Sequence, residues 1–141
     1  MLTLTGRCLC EGVRFEITGK LGPAIYCHCS MCRRASGSSF ATNASVRKEN
    51  FRILDGGELI KEYESSPGSR RAFCSNCGSP LYKTFADIPS IRRVRLGTLD
   101  NAEGVKSVAH IWTGSKSDWF EITDDLVQFE EEPPDSYCAP G

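Results

Sequence analysis

The chain has 141 residues, 40% hydrophobic and 25% charged, with a formal net charge of −1. That balance fits one soluble globular domain with its own core and argues against a bulk nucleic-acid-binding surface, so no nucleic-acid partner is expected. No apolar run approaches the roughly 18 residues of a membrane helix, so no membrane partner is expected either.

The start, MLTLTGRC, has no basic n-region and no apolar h-region. A secretory signal is therefore not expected, and the expected location is cytoplasmic. Leu2–Cys10 and Val13–Thr18 alternate in polarity around Glu11-Gly12 and predict a hairpin. Gly22-Pro23 breaks the chain, and Ala24–Tyr26 leads extended into Cys27. Ser30–Ala35 predicts one helical turn stopped by Gly37. Ser39–Val46, Phe51–Leu54 and Leu59–Tyr63 predict strands, the last two joined through Asp55-Gly56-Gly57 as in a hairpin. Arg70–Phe73 leads into Cys74 and Cys77, Pro80–Phe85 leads out, and Arg92–Leu96 predicts a further strand. His110–Thr113 and Leu126–Glu130 are short extended pieces. Residues 131–141, rich in Glu, Pro and Asp, predict a loose tail after a single domain over 1–130. Short strands with frequent turns and no long helical period give a mainly β fold class.

The eight cysteines carry the chemistry. Seven fall into three groups: Cys8-x-Cys10, Cys27-x-Cys29-x-x-Cys32 and Cys74-x-x-Cys77. Neighbours one residue apart in a strand point to opposite faces, so disulfides fit poorly and metal fits well. Zinc takes thiolates in a tetrahedron. Cys74-Ser75-Asn76-Cys77-Gly78 is a half-site whose tight turn suits a glycine at positive φ. Cys8 and Cys10 supply the other half if their strand bends, and such a zinc would be structural. Cys27, Cys29 and Cys32 make a site one ligand short. An open position, a histidine (His28 or His110), or Cys138 could complete it. His28 lies between two ligands and is expected to point away. His110 reads most simply as a half-buried hydrogen-bonded histidine, and Cys138 as a free thiol. Positive charge is local, at Arg33-Arg34, Arg70-Arg71, and Arg92, Arg93 and Arg95. The plain reading is a solvated face, above all for the last group.

The segments GRCLCEGVRFEI, CHCSMCRRASGSSF, FCSNCGSPLY and LGTLD…AHIWTGSKSDWFEITDDLVQF occur in that order. Over Leu4 to Phe129 they resemble the glutathione-dependent formaldehyde-activating enzyme family. The resemblance implies a β-rich zinc fold of the β-tent type, shared with methionine sulfoxide reductase B. It implies two zinc ions per chain: a structural one on Cys8, Cys10, Cys74 and Cys77, and a catalytic one on Cys27, Cys29 and Cys32 with its remaining position open. The implied activity joins glutathione and formaldehyde and is that of a carbon–sulfur lyase. A site of three thiolates needs nearby cations. Arg33 and Arg34 are the expected ones, to hydrogen-bond a sulfur or anchor a substrate carboxylate. Ser36, Gly37 and Ser38 are expected at the pocket rim. Two other readings stand beside this enzyme: a binding module with two structural zincs, and a thiol-based redox or metal-handling protein.

Overall fold

The computed structural model describes residues 3–141. In chain order the strands are β1 (Thr3–Arg7), β2 (Arg14–Thr18), β3 (Ala24–Cys27), β4 (Ala41–Arg47), β5 (Phe51–Asp55), β6 (Ile60–Ser66), β7 (Ser69–Cys74), β8 (Pro80–Phe85), β9 (Ile91–Arg95), β10 (Ser107–Ile111) and β11 (Val127–Gln128). Among the described residues one α-helix, α1 (Ser30–Ser36), lies between β3 and β4. The strands form a three-stranded sheet, β1-β2-β5, and an eight-stranded sheet, β11-β10-β3-β4-β9-β8-β7-β6. The mainly β class is as the sequence predicts. Among the described residues no helix is long and apolar enough to cross a membrane.

Alternation in the strands decides which face each residue takes. Leu4, Phe15 and Ile17 of the small sheet pack with Val46 and Val94 of the large one. Full burial of a side chain such as Phe15 or Ile17 contributes about 1.5–3 kcal/mol. A second cluster gathers Ile25, Ala41, Ala109 and Ile111 around Cys27 and Cys32. It therefore packs Cys27 and Cys32 among buried apolar side chains.

The β1–β2 hairpin forms as expected, with Thr3 opposite Thr18 and Arg7 opposite Arg14. Its predicted start at Leu2 lies outside the described residues. The strand leaves the ladder at Cys8, and Glu11 turns the chain at φ +65°. The β5–β6 hairpin does not form. β5 pairs with β2 and β6 pairs with β7, in different sheets. Phe51 and Ile53 pack onto the core beside Phe15, which draws β5 to the small sheet, and the chain turns away at Gly56. Nor are residues 131–141 loose. Tyr137 and Cys138 pack against the Ile111 cluster, and the Tyr137 ring meets Phe129 at 5.1 Å. Composition misled there because the acidic residues face solvent while those two dock.

Candidate metal centres

Cys8, Cys10, Cys74 and Cys77 come together with all four sulfurs within 4.8 Å of one another. A tetrahedral zinc with Zn–S bonds of about 2.3 Å needs sulfurs about 3.8 Å apart. Cys8 and Cys10 are 3.5 Å apart, and Cys10 and Cys74 3.8 Å. The donor set therefore fits zinc. The bend at Cys8 lets two near neighbours face one point: Glu11 N–H donates to Cys8 O, and Val13 N–H donates to the Cys8 sulfur at 3.3 Å. The second knuckle is closed by Gly78 N–H on Cys74 O at 2.7 Å, with Gly78 at φ +79°. Ser79 joins the two knuckles. Its Oγ accepts from Leu9 N–H at 2.9 Å and donates to the Cys77 sulfur at 3.3 Å. That hydroxyl is the main reason the Cys77 thiol is pushed down to about 5.

Cys27, Cys29 and Cys32 form the second cluster, again within 4.8 Å. β3 delivers Cys27. Cys29 is the N-cap of α1, and its sulfur accepts from Cys32 N–H at 3.3 Å. Gly37 ends the helix at φ +65°, where a side chain would be strained. This cluster also suits zinc by donor type, but with three protein donors. Neither His28, His110 nor Cys138 joins it. All eight cysteines are free of disulfides.

The three-cysteine cluster forms part of the wall of a cavity of about 730 Å³, lined also by Asn43, Arg71, Lys83, Arg93 and Trp112. Arg71 is buried, with both terminal nitrogens 3.9 Å from the Cys32 sulfur and Nε donating to Ser65 Oγ. Arg95 is buried too and donates to Asn43 Oδ1 at 2.6 Å. The Cys32 thiol is held well below its usual range, first by hydrogen bonds from Cys27 and Cys29, then by the Arg95 and Arg71 charges. Hydrogen bonding to Cys29 and Cys32 raises Cys27 in turn. One cluster thus shares negative charge centred on Cys32. Trp112 reaches the cavity with its backbone at φ +57°, a conformation that costs about 1 kcal/mol or more for a residue with a side chain.

The sequence model described as glutathione-dependent formaldehyde-activating enzyme matches residues 3–115. The chain belongs to the glutathione-dependent formaldehyde-activating enzyme family. A Halomonas elongata protein that bears the family's name is 30% identical over 130 residues, covering 86% of this chain and 82% of that protein. A Schizosaccharomyces pombe protein named as an uncharacterized lyase is 23% identical, covering 88% of each. The crystal structure of a Rhodobacter sphaeroides protein superposes with a TM-score of 0.57 at 27% identity, covering 72% of this chain and 90% of that one.

In this member of the family, Arg33 and Arg34 lie outside the cavity lining, as do Ser36, Gly37 and Ser38. Arg34 is exposed, and Ser36 Oγ instead bonds backbone oxygens that close α1, with Cys32 O at 2.8 Å. The cations at the site are those that read as a solvated face. A strand sends neighbours to opposite sides, so Arg70 pairs with Glu62 and Glu64 outside while Arg71 points in. Arg95 is buried by the same rule. The signal was present in the sequence as the alternation of β7 and β9, but not which face would carry the cysteines.

The two histidines do other work. His110 Nε2–H donates to Asp124 at 2.9 Å, which leaves Nδ1 to accept from His28 Nε2–H at 2.8 Å. Burial pushes His28 down to about 4, so its ring is neutral at pH 7. The Asp124 carboxyl is held below its ordinary value, chiefly by the His110 bond. This Asp–His–His chain, with His28 N–H bonded to Ile111 O at 2.9 Å, pins the segment between Cys27 and Cys29.

Proposed function

We propose that this family member is a zinc-dependent carbon–sulfur lyase acting on a small thiol and its aldehyde adduct, of the type that joins glutathione to formaldehyde. Cys8, Cys10, Cys74 and Cys77 would hold a structural zinc, and Cys27, Cys29 and Cys32 a catalytic one. Zinc at the second site would lower the pKa of a substrate thiol and polarise an aldehyde oxygen. In the synthetic direction the substrate sulfur forms a bond to the aldehyde carbon, the carbon–oxygen π pair moves to oxygen, and the thiol proton ends there. The reverse breaks the same carbon–sulfur bond.

The observation that carries this reading is the difference in donor count. Four sulfurs complete one tetrahedron, while three sulfurs border a cavity large enough for a small molecule. The chain's own groups assist in three ways. The Arg71 guanidinium beside Cys32 and the Arg95 charge balance the thiolates, which would otherwise make a weak Lewis acid. Ile111 and Trp112 supply apolar wall to the cavity. The Asp124–His110–His28 chain keeps the cysteine loop in one position.

Native mass spectrometry of the untagged protein, with and without reduced glutathione and other small thiols, tests the reading. Two zincs per chain and a thiol adduct that disappears in Cys29→Ser are expected. Two zincs with no adduct from any thiol would point instead to a binding module with two structural zincs.

A further inference from the structure

We propose that Arg71, Lys83 and Arg93 form an oxyanion subsite, and that the thiol substrate carries a carboxylate or similar oxyanion a few bonds from its sulfur. This rests on the thiol chemistry above and adds to it the charge and placement of the substrate's second group.

Arg71 on β7 stands directly opposite Lys83 on β8, and Lys83 directly opposite Arg93 on β9. Residues paired this way share a face of the sheet, so three cations form one row across three strands. Like charges directly opposite are destabilising. The opposite-charge remedy appears one position away, where Arg70 lies beside Glu62 and Glu64 on the outer face. Among the described residues, no carboxylate pairs with Arg71, Lys83, Arg93 or Arg95. Asp87 and Glu132 also line the cavity, but both are exposed and pair with none of the three.

Two further observations point to a ligand. Arg93 Nε is buried with no hydrogen-bond partner. A buried donor left unsatisfied is costly, and an oxyanion would satisfy it. The Lys83 ammonium is pushed down to about 8, first by burial and then by the Arg71 charge. Its Nζ lies 5.0 Å from the Phe85 ring centre, so the side chain is held along the cavity wall. Arg71 in this row lies 3.9 Å from the Cys32 sulfur. Lys83 and Arg93 stand beside it on the next two strands, at spacings of about 4.8 Å per strand. An anion on this row therefore sits within a short chain's reach of a sulfur at the three-cysteine cluster.

Calorimetric titration of the protein purified with its metal, using four probes, tests this. 3-Mercaptopropionate and 2-mercaptoethanesulfonate carry thiol and anion, 2-mercaptoethanol the thiol alone, and propionate the anion alone. At least one anionic thiol is expected to bind about tenfold or more tightly than 2-mercaptoethanol. Which one does so distinguishes a planar from a tetrahedral anion. Arg93→Met and Lys83→Met should each erase that advantage while leaving 2-mercaptoethanol binding unchanged. Circular dichroism confirms that each variant is folded, and either variant alone suffices. Equal binding of all three thiols overturns the subsite and leaves the thiol reading standing. Propionate binding that needs Arg93, with no binding of 2-mercaptoethanol, keeps the subsite and overturns the thiol reading. No carboxylate or sulfonate binding in any form overturns the subsite.

Discussion

Around Cys8, Cys10, Cys74 and Cys77 the polar neighbours are backbone N–H groups, the Ser79 hydroxyl and the Asn76 side chain, all uncharged. Around Cys27, Cys29 and Cys32 they include the Arg71 and Arg95 guanidiniums. The first set shapes two turns and ties the β1–β2 hairpin to the end of β7. The second supplies charge beside a cavity. The same residue type thus has two settings, one among turn-forming backbone groups and one beside buried cations and a cavity. On the proposed reading, donor count and the charge of the surroundings, rather than cysteine chemistry itself, would separate a structural from a reactive thiolate site.

The sharpest break of this comparison is one serine in each cluster. Cys77→Ser should abolish cooperative thermal unfolding, because structural zinc contributes folding energy on the order of 10 kcal/mol. Cys29→Ser should retain a cooperative melt and lose activity by about 100-fold or more, since the site would lose one of its three donors. If Cys29→Ser also melts without cooperativity, both clusters are structural.

Arg71→Met should retain metal at both sites and lower kcat/KM about 10- to 100-fold, the scale of an outer-sphere partner of a metal site. Metal analysis beside steady-state kinetics separates that effect from simple metal loss.

Lys83→Met should act on stability in the opposite direction. The unfolded lysine keeps its proton up to about 10.5, while the folded one gives it up near 8. Between those values the unfolded chain binds more protons, so this residue's contribution to stability rises with pH across the window. Below it, the buried charge costs the fold on the order of 3 kcal/mol. Lys83→Met should therefore be more stable than the parent at pH 7, with the gain vanishing as pH approaches 10.5. Urea unfolding of both proteins at pH 7 and pH 10 reads the difference, and a gain independent of pH would mean packing is responsible.

Asp124→Asn should have the smallest effect. It leaves His110 a hydrogen-bond partner but removes a charge that is already half in water. A Tm lower by only a few degrees, with kcat changed less than severalfold, is the expected result. A loss as large as that of Cys29→Ser would make the histidine chain part of the reaction itself.

Much of the fold was readable in the sequence because strand alternation and turn residues are local. The β1–β2 hairpin, the knuckle at Gly78 and the end of α1 at Gly37 all follow from residue types a few positions apart. The partner of β5 was not readable. Asp55-Gly56-Gly57 suits a hairpin as well as a crossover, and only the packing of Phe51 and Ile53 on the Phe15 core selects the second. The docked tail was hidden likewise, since Tyr137 and Cys138 are two residues in an otherwise polar run.

For the site, the sequence by itself determined which seven cysteines would group, and the two clusters they form could each hold a metal ion. It also determined that one cluster would be a donor short. Only the tertiary structure decided which cations serve that cluster. Arg33 and Arg34 are next to Cys32 in the chain, yet they lie outside the cavity. Arg71, Lys83, Arg93 and Arg95 are tens of residues away in sequence, and strand pairing brings them beside it. The reason is geometric. A seven-residue helix turns consecutive side chains through about 100° each, whereas paired strands stack residues from distant segments into a single row on one face.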